Sequence, residues 1–412
     1  MGLDAIPEPA LEQIEHAGGG TDLVIGMLGT SHTGDAAAAV AIVHEVLGKL
    51  SNGTRAVLVV NDGQKGPAVE DVQSVPVLFC HLPTPASTGG PPLNASAAYH
   101  TVFGLSGRLK ARACGVILSE LQPVTAQWIY RLVQPALDMG FDLVAPRYAR
   151  HKLEGLLNLS VLSPLHSALY GKRLQNPMGP DFGLSGNLMQ QILGQDSESR
   201  RANPSYPLAS IASAAVCGGF PVCESHLGVR LQPPTDWMNL SSLLAQVLGP
   251  VFLDMEHHAA SWQRTRGLQA VPRFGDPEPA PEEAGTVDRS RMIDSFQLGV
   301  KNLQDVWGFV LPPTALFEIK KLSRLPADQF RMPDDLWASI VYDFALGHRI
   351  RTINRDHLLR SFTPLYLGWI ASYTRDLETA ASAESESRLA SAYEAAKPYL
   401  VSRWRWPDRF NP

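Results

Sequence analysis

The chain has 412 residues, 45% of them hydrophobic and 18% charged, with a formal net charge of −5. That is the composition of a globular protein with chain enough for one large core and a smaller unit. The negative balance, with no block of clustered Lys and Arg, excludes a general nucleic-acid surface. No uncharged apolar run reaches the roughly 18 residues of a transmembrane helix.

Residues 1–20 read as a flexible leader: acidic, ending in three glycines, and without the basic-then-apolar pattern of a signal peptide. DLVIGMLG then reads as a buried strand, followed by the polar loop TSHTGD and an Ala-rich helix, AAAAVAIVHEVLGKL. RAVLVVNDG and VPVLFCHL are the second and third strands. A Pro/Gly/Ser-rich loop spans 83–96, AAYHTVFGLSGRLKA reads as a helix, and ACGVIL is the fourth strand. Pro123 and the amphipathic TAQWIYRLVQPALDMG follow. Short apolar strands alternating with helices predict a parallel sheet covered on both faces.

Residues 142–260 are less regular, and FGDPEPAPEEAG at 274–285 reads as a linker. Helical periodicity dominates after it, over roughly 287–306, 313–323, 334–348, 355–375 and 377–396. The expected organisation is a leader at 1–20, an α/β domain at 21–273, a linker at 274–285 and a helical region at 286–412. Cys80, Cys114, Cys217 and Cys223 contain no C-x-x-C pair, which argues against zinc. A reducing, cytoplasmic location is the expectation.

In open parallel sheets, ligands sit beyond the carboxyl ends of the strands. Asp62 and the pair Ser119–Glu120 follow buried strands directly, so they are candidates for a shared cleft. Arg147, Arg150, His151 and Lys152 make a basic stretch suited to one small anion. Each candidate also has a plain reading. NDG at Asp62 is a common turn, Glu120 caps the next helix, the arginines form a solvated surface, and Asp181 stabilises a Gly/Pro turn.

Two strings carry a family likeness: DLVAPRYARHKLEGLLNLSVLSPLHSALYGKRLQNPMGPDFGLS at 142–185, and VCESHLGVRL at 222–231. Together they resemble the glucosylglycerate and glucosyl-3-phosphoglycerate synthases. The resemblance runs over nearly the whole chain. It implies the nucleotide-sugar glycosyltransferase A-type fold, an α/β architecture with a Rossmann-like, mostly parallel sheet and a helical C-terminal extension. It also implies a UDP- or GDP-sugar donor, a divalent metal (Mg or Mn), and a small carboxylate acceptor such as glycerate or 3-phosphoglycerate. Under it, Asp62 and Glu120 bind the donor and Glu120 the metal. Arg147, Tyr148, Arg150, His151 and Asn158 receive the acceptor, and Asp181 is the catalytic candidate; Arg230 also matches the pattern.

The departures from the family pattern share one direction. Its Asp-x-Asp is Leu118, Ser119 and Glu120 here, and its Gly-Lys-Gly loop aligns with Asn94, Ala95 and Ser96. Its metal-ligand His corresponds to Gln232, an Asp to about Ala209, and a Lys to Ala145. Each change removes charge or polarity from the place where a diphosphate and its cation need it. Two readings follow: a divergent glycosyltransferase, or a catalytically inactive homologue acting as a binding or regulatory partner. A homodimer or pairing with an active paralogue suits the second.

Overall fold

The computed structural model describes residues 6–29, 36–51, 53–61, 67–81, 96–118, 123–195, 203, 205–231, 235, 239–281, 287–351, 353–378 and 382–407. The strands are β1 (Leu23–Met27), β2 (Ala56–Asn61), β3 (Ala68–Val72), β4 (Val75–Cys80), β5 (Ala113–Ile117), β6 (Leu143–Ala149), β7 (Lys172–Arg173), β8 (Phe182–Ser185), β9 (Val222–Val229), β10 (Gln269–Ala270) and β11 (Arg273–Phe274). The helices of the α/β part are α1 (Glu8–Ala17), α2 (Ala36–Leu47), α3 (Ser96–Arg108), α4 (Ala126–Asp138), α6 (Gly186–Gly194) and α7 (Ile211–Cys217). The other helices are α5 (Ser163–Tyr170), α8 (Leu240–His257), α9 (Ala259–Trp262), α10 (Arg289–Asn302), α11 (Gln304–Gly308), α12 (Pro313–Leu322), α13 (Asp334–Ile350), α14 (Arg355–Ser361), α15 (Thr363–Asp376) and α16 (Ser382–Arg405).

The chain divides into two compact units, one of residues 1–149, 174–233 and 271–281, the other of 150–173, 234–270 and 282–412. Among the described residues the first is built on a nine-stranded sheet in the order β11-β9-β6-β8-β5-β1-β2-β4-β3. β1, β2, β4 and β5 lie where the apolar runs place them, and every residue of β1, β2 and β5 is buried. Burial on both faces is why they read as unbroken Val/Ile/Leu runs. β1 pairs parallel to both β2 and β5, and β6 pairs parallel to β9.

Two strands run against the rest. β3 is an exposed edge strand that pairs antiparallel to β4 through a tight turn at Gln73 and Ser74, both at positive φ. Asp71 accepts the Ser74 N–H there at 2.8 Å. β8 is inserted antiparallel between β5 and β6. Gly183, at its centre, allows helix α4 to approach: a Cβ there would lie 1.9 Å from the Leu132 carbonyl oxygen. α4 starts at Thr125, whose side chain accepts the Trp128 N–H. It buries Trp128, Ile129, Leu132 and Val133 in the core that β1, β2 and β5 also supply.

The stretch read as a leader contains α1, which buries Ala10, Leu11 and Ile14 and packs on β3 and β4. Its apolar spacing of three and four residues marks one face of a helix.

The second unit is helical, as expected for the C-terminal region, and it takes in residues 150–173 and 234–270 as well. α5 lies along α16, where the buried ammonium of Lys397 donates to the carbonyls of Ala168, Leu169 and Thr265 at 2.6, 2.9 and 3.0 Å. The first two are open carbonyls at the end of α5, which a cation satisfies well. The indole of Trp337 and the hydroxyl of Tyr393 both donate to the Ser160 carbonyl, at 3.0 and 2.8 Å. These bonds draw the middle of the chain into the C-terminal helices. Among the described residues no helix is long and apolar enough to cross a membrane.

Candidate functional site

From β1 the chain winds outward through β2 to β4, then crosses back to β5 on the other side of β1. The strand order therefore reverses between β1 and β5, and the crevice beyond their carboxyl ends is where an open α/β sheet takes a ligand. The strand ends are tied together there. The Leu28 N–H donates to the Ile117 carbonyl at 2.8 Å, and the Asn61 amide donates to the Leu28 carbonyl at 3.3 Å.

An antiparallel strand begins at the edge where its parallel neighbours end. Asp181, immediately before β8, is thereby delivered to the carboxyl end of β5. Its side chain is fully buried. One carboxylate oxygen accepts the Leu118 N–H at 2.9 Å, and the other accepts the Tyr148 hydroxyl and faces the Arg230 Nε at 3.6 Å. The Arg230 guanidinium also donates to the Leu118 carbonyl and lies 5.6 Å from the centre of the Tyr148 ring. Asp181, Tyr148 and Arg230 thus fix the backbone of Leu118, the residue after β5. Leu118 itself is buried.

A second cluster lies on one face of the sheet at its β6–β9–β11 edge. Ala145, Glu224 and Arg273 are register neighbours, and Arg147 and His226 pair two residues further along. A step of two keeps all five on the same face. Glu224 is fully buried, with Arg147 at 3.0 Å and Arg273 at 3.4 Å, both on its Oε2. Its other oxygen accepts the Gln175 N–H, and the Gln175 side chain accepts the Tyr148 N–H at 3.1 Å. Partial burial, then the nearby guanidiniums of Arg147 and Arg273, lowers the pKa of the His226 imidazole. Glu224, Gln175, Arg273 and His226 carry no local signature in the sequence beyond one acid inside an apolar strand.

Of the residues singled out from the sequence, Asp181, Tyr148 and Arg230 come together, and Arg147 joins the neighbouring cluster. Arg150, His151 and Asn158 belong to the second unit. There His151 closes a turn: its Nδ1 accepts the Leu153 N–H at 3.1 Å, and its own N–H donates to Glu154 at 3.2 Å. Arg150 packs over Gly155, and Asn158 opens a π-helical turn, Asn158–Leu162. Asp62 and Glu120 lie outside the described residues, as do Asn94, Ala95, Ser119 and Gln232. Ala209 and Ala145 are buried.

Among the described residues no three His, Cys, Asp or Glu side chains are grouped to hold a metal ion. Asp181, beside the end of β5, already spends both oxygens on protein donors. The described side chains therefore do not compose a site for the divalent cation that the resemblance implies.

Neither a protein-family model nor a curated protein matches this sequence. Solved structures that resemble it include glucosyl-3-phosphoglycerate synthase from Mycobacterium tuberculosis in complex with Mn2+, UDP-glucose and phosphoglyceric acid. That match has 18% identity and a TM-score of 0.34 and covers 60% of this chain and 84% of that one. The same enzyme with Mg2+ and UDP matches at 15% identity and a TM-score of 0.35, over 60% and 82%. A further complex with Mn2+, UDP-glucose and phosphoglyceric acid matches at 14% and 0.34, over 66% and 92%. Likeness at that level assigns no residue a role. The sheet order itself defines the class: α/β, with a Rossmann-like, mostly parallel sheet and a helical C-terminal region.

Proposed function

We propose that this chain is a glycosyltransferase-like protein of the A-type fold that takes a nucleotide-sugar beyond the carboxyl ends of β1 and β5. It is related to enzymes that move a sugar to glycerate or 3-phosphoglycerate. The supporting observation is the group at the strand reversal, where Asp181, Tyr148 and Arg230 hold the backbone of Leu118, two residues before Glu120 in the sequence. Asp62 and Glu120 are the proposed donor contacts. Arg230 supplies the guanidinium that such chemistry needs against a leaving diphosphate. Arg147 and Tyr148 are proposed for the acceptor on the first unit. Arg150, His151 and Asn158 are separate acceptor candidates on the second. Asp181 is proposed as a positioning residue in place of the expected catalytic one, because it is fully buried and both its oxygens are engaged.

A second reading, an inactive homologue that binds or regulates a partner, is favoured by the same geometry. Glu120 is the only protein acid left at the Asp-x-Asp position, and the neighbouring Leu118 is apolar and buried. A cation on two diphosphate oxygens needs further protein carboxylates or imidazoles to fix it. The test is release of nucleoside diphosphate from UDP- and GDP-glucose, with glycerate or 3-phosphoglycerate, with and without Mg2+ or Mn2+. The proposal expects little or no metal-dependent transfer from the natural sequence, and partial restoration by combined Leu118→Asp, Ala95→Lys and Gln232→His. Robust Mg2+-dependent turnover by the natural sequence would overturn the eroded-site account.

A further inference from the structure

The Arg147–Glu224–Arg273 group is charged out of balance. Two guanidiniums share a single carboxylate oxygen, at 3.0 and 3.4 Å, and among the described residues neither forms an ion pair with a second acid. Two guanidiniums on one carboxylate leave one positive charge uncompensated. The carboxylate has no exposed surface, whereas the Arg147 and Arg273 side chains keep 22% and 44% of theirs. Water and solutes therefore reach the cations and not the anion between them. His226 stands beside them, opposite Arg147 in the β6–β9 register and on the same face.

We propose that Arg147, Arg273 and His226 form a binding site for a small oxyanion, held in place by the buried Glu224. The ligand is the phosphate or carboxylate end of a small acceptor, which rests on the acceptor role proposed above for Arg147. Glu224 is the positioning residue. It fixes both guanidiniums from below, and its bond from Gln175, continued to the Tyr148 N–H, ties the cluster to the strand end where Tyr148 meets Asp181. A planar guanidinium held at one edge by a buried acid presents its remaining N–H donors outward, the arrangement that favours bidentate capture of an oxyanion. Arg131 on α4 lies near and is balanced by Glu278 at 3.8 Å.

The experiment titrates the full chain with inorganic phosphate, 3-phosphoglycerate and glycerate at constant ionic strength, by calorimetry and by 31P line width. The same samples are titrated with UDP-glucose. Arg273→Ala is the main variant: Arg273 is the more exposed guanidinium, and its loss leaves Arg147 on Glu224, so the fold is kept. Affinity for phosphate and 3-phosphoglycerate is expected to fall about tenfold in Arg273→Ala, the loss of one charge-assisted contact, and further in Arg273→Glu. UDP-glucose binding is expected to stay within twofold. Weakening with phosphate and 3-phosphoglycerate but not glycerate assigns the site to a phosphate; weakening with all three assigns it to any small oxyanion. Unchanged anion affinity in both variants overturns the site, whatever UDP-glucose does. Absent UDP-glucose binding together with a lost phosphate response overturns the donor reading and leaves the oxyanion site standing.

Discussion

The carboxylate of Asp181 accepts the backbone N–H of Leu118 at 2.9 Å and so fastens the start of antiparallel β8 to the end of β5. Two segments far apart in sequence meet at the strand reversal, and the position of Leu118 is fixed there. Removing Asp181 takes an acceptor from two groups, the Leu118 N–H and the Tyr148 hydroxyl, and the buried counter-charge from Arg230. Asp181→Ala is expected to cost about 3–5 kcal/mol, the usual penalty for breaking a buried ion pair on one side. Asp181→Asn, which keeps an acceptor for Leu118, should cost about half as much. Urea unfolding measures both. A cost under about 0.5 kcal/mol for the Ala variant, typical of a surface site, would show that Asp181 holds nothing.

Gly183 gives a prediction of packing alone. The Leu132 carbonyl occupies the space a methyl group would need, and both groups are backbone, so neither can swing away. Gly183→Ala is expected to destabilise by about 3 kcal/mol or more, beyond ordinary overpacking. Gly53, with nothing within 4 Å of a built Cβ, has positive φ but no such clash. The measured cost of Gly53→Ala is therefore expected to be smaller, reflecting backbone strain only.

Two buried groups on α13 shift the acid stability of the second unit in opposite directions. Burial, with the guanidiniums of Arg355 and Arg351 adding to it, lowers His348 from 6.5 to about 4. Its contribution is complete above pH 6.5 and is lost as pH falls toward 4, because the unfolded chain then binds more protons. Burial raises Asp343 from 3.8 to about 7, against the opposing pull of Arg403 and Tyr399. That contribution is complete below about pH 3.8 and is lost as pH rises through 7. His348→Asn should therefore flatten the loss of stability between pH 6.5 and 4.5, by on the order of 2 kcal/mol. Asp343→Asn should steepen that loss. Unfolding midpoints at three pH values decide, and identical slopes in all three proteins would refute both assignments.

Three of the four thiols are expected to be unreactive, chiefly because they are buried. Burial raises Cys80 and Cys114 to about 12 and lifts Cys223 well above the ordinary thiol range, with Glu224 beside it adding to the effect. Thiolate is the reactive form. Only half-buried Cys217 is expected to react rapidly with a disulfide reagent at pH 8. The other three should appear after denaturation. Two or more fast thiols in the native protein would contradict the core described for β4, β5 and β9.

Much of the fold could be read from the residues because its central strands are buried on both faces. VIGM, AVLVV and ACGVI admit few alternatives, and Thr125 before AQWIYRLV announces α4. β3 is not legible in the sequence, because an exposed edge strand reading AVEDV has no apolar run. Nor is β8, because four residues with a central glycine carry no period, and its direction is set by partners distant in sequence. The sequence marks Asp181 only as an acid in a Gly/Pro turn, because its bonds to the Leu118 N–H and the Tyr148 hydroxyl depend on partners distant in sequence. The meeting of Glu224 with Arg273 is not legible in the sequence, because it depends on the pairing of β9 with β11, which no local pattern encodes.

The central proposal is a nucleotide-sugar site beyond the carboxyl ends of β1 and β5 that binds its ligand without a cation. Calorimetric titration with UDP-glucose and GDP-glucose, each with and without Mg2+ or Mn2+, tests it most directly. The expected result is saturable binding of one nucleotide-sugar, changed less than threefold by either cation and weakened about tenfold by Arg230→Ala, the loss of one charge-assisted contact. No binding of either nucleotide-sugar, or affinity that appears only when the cation is added, would contradict it.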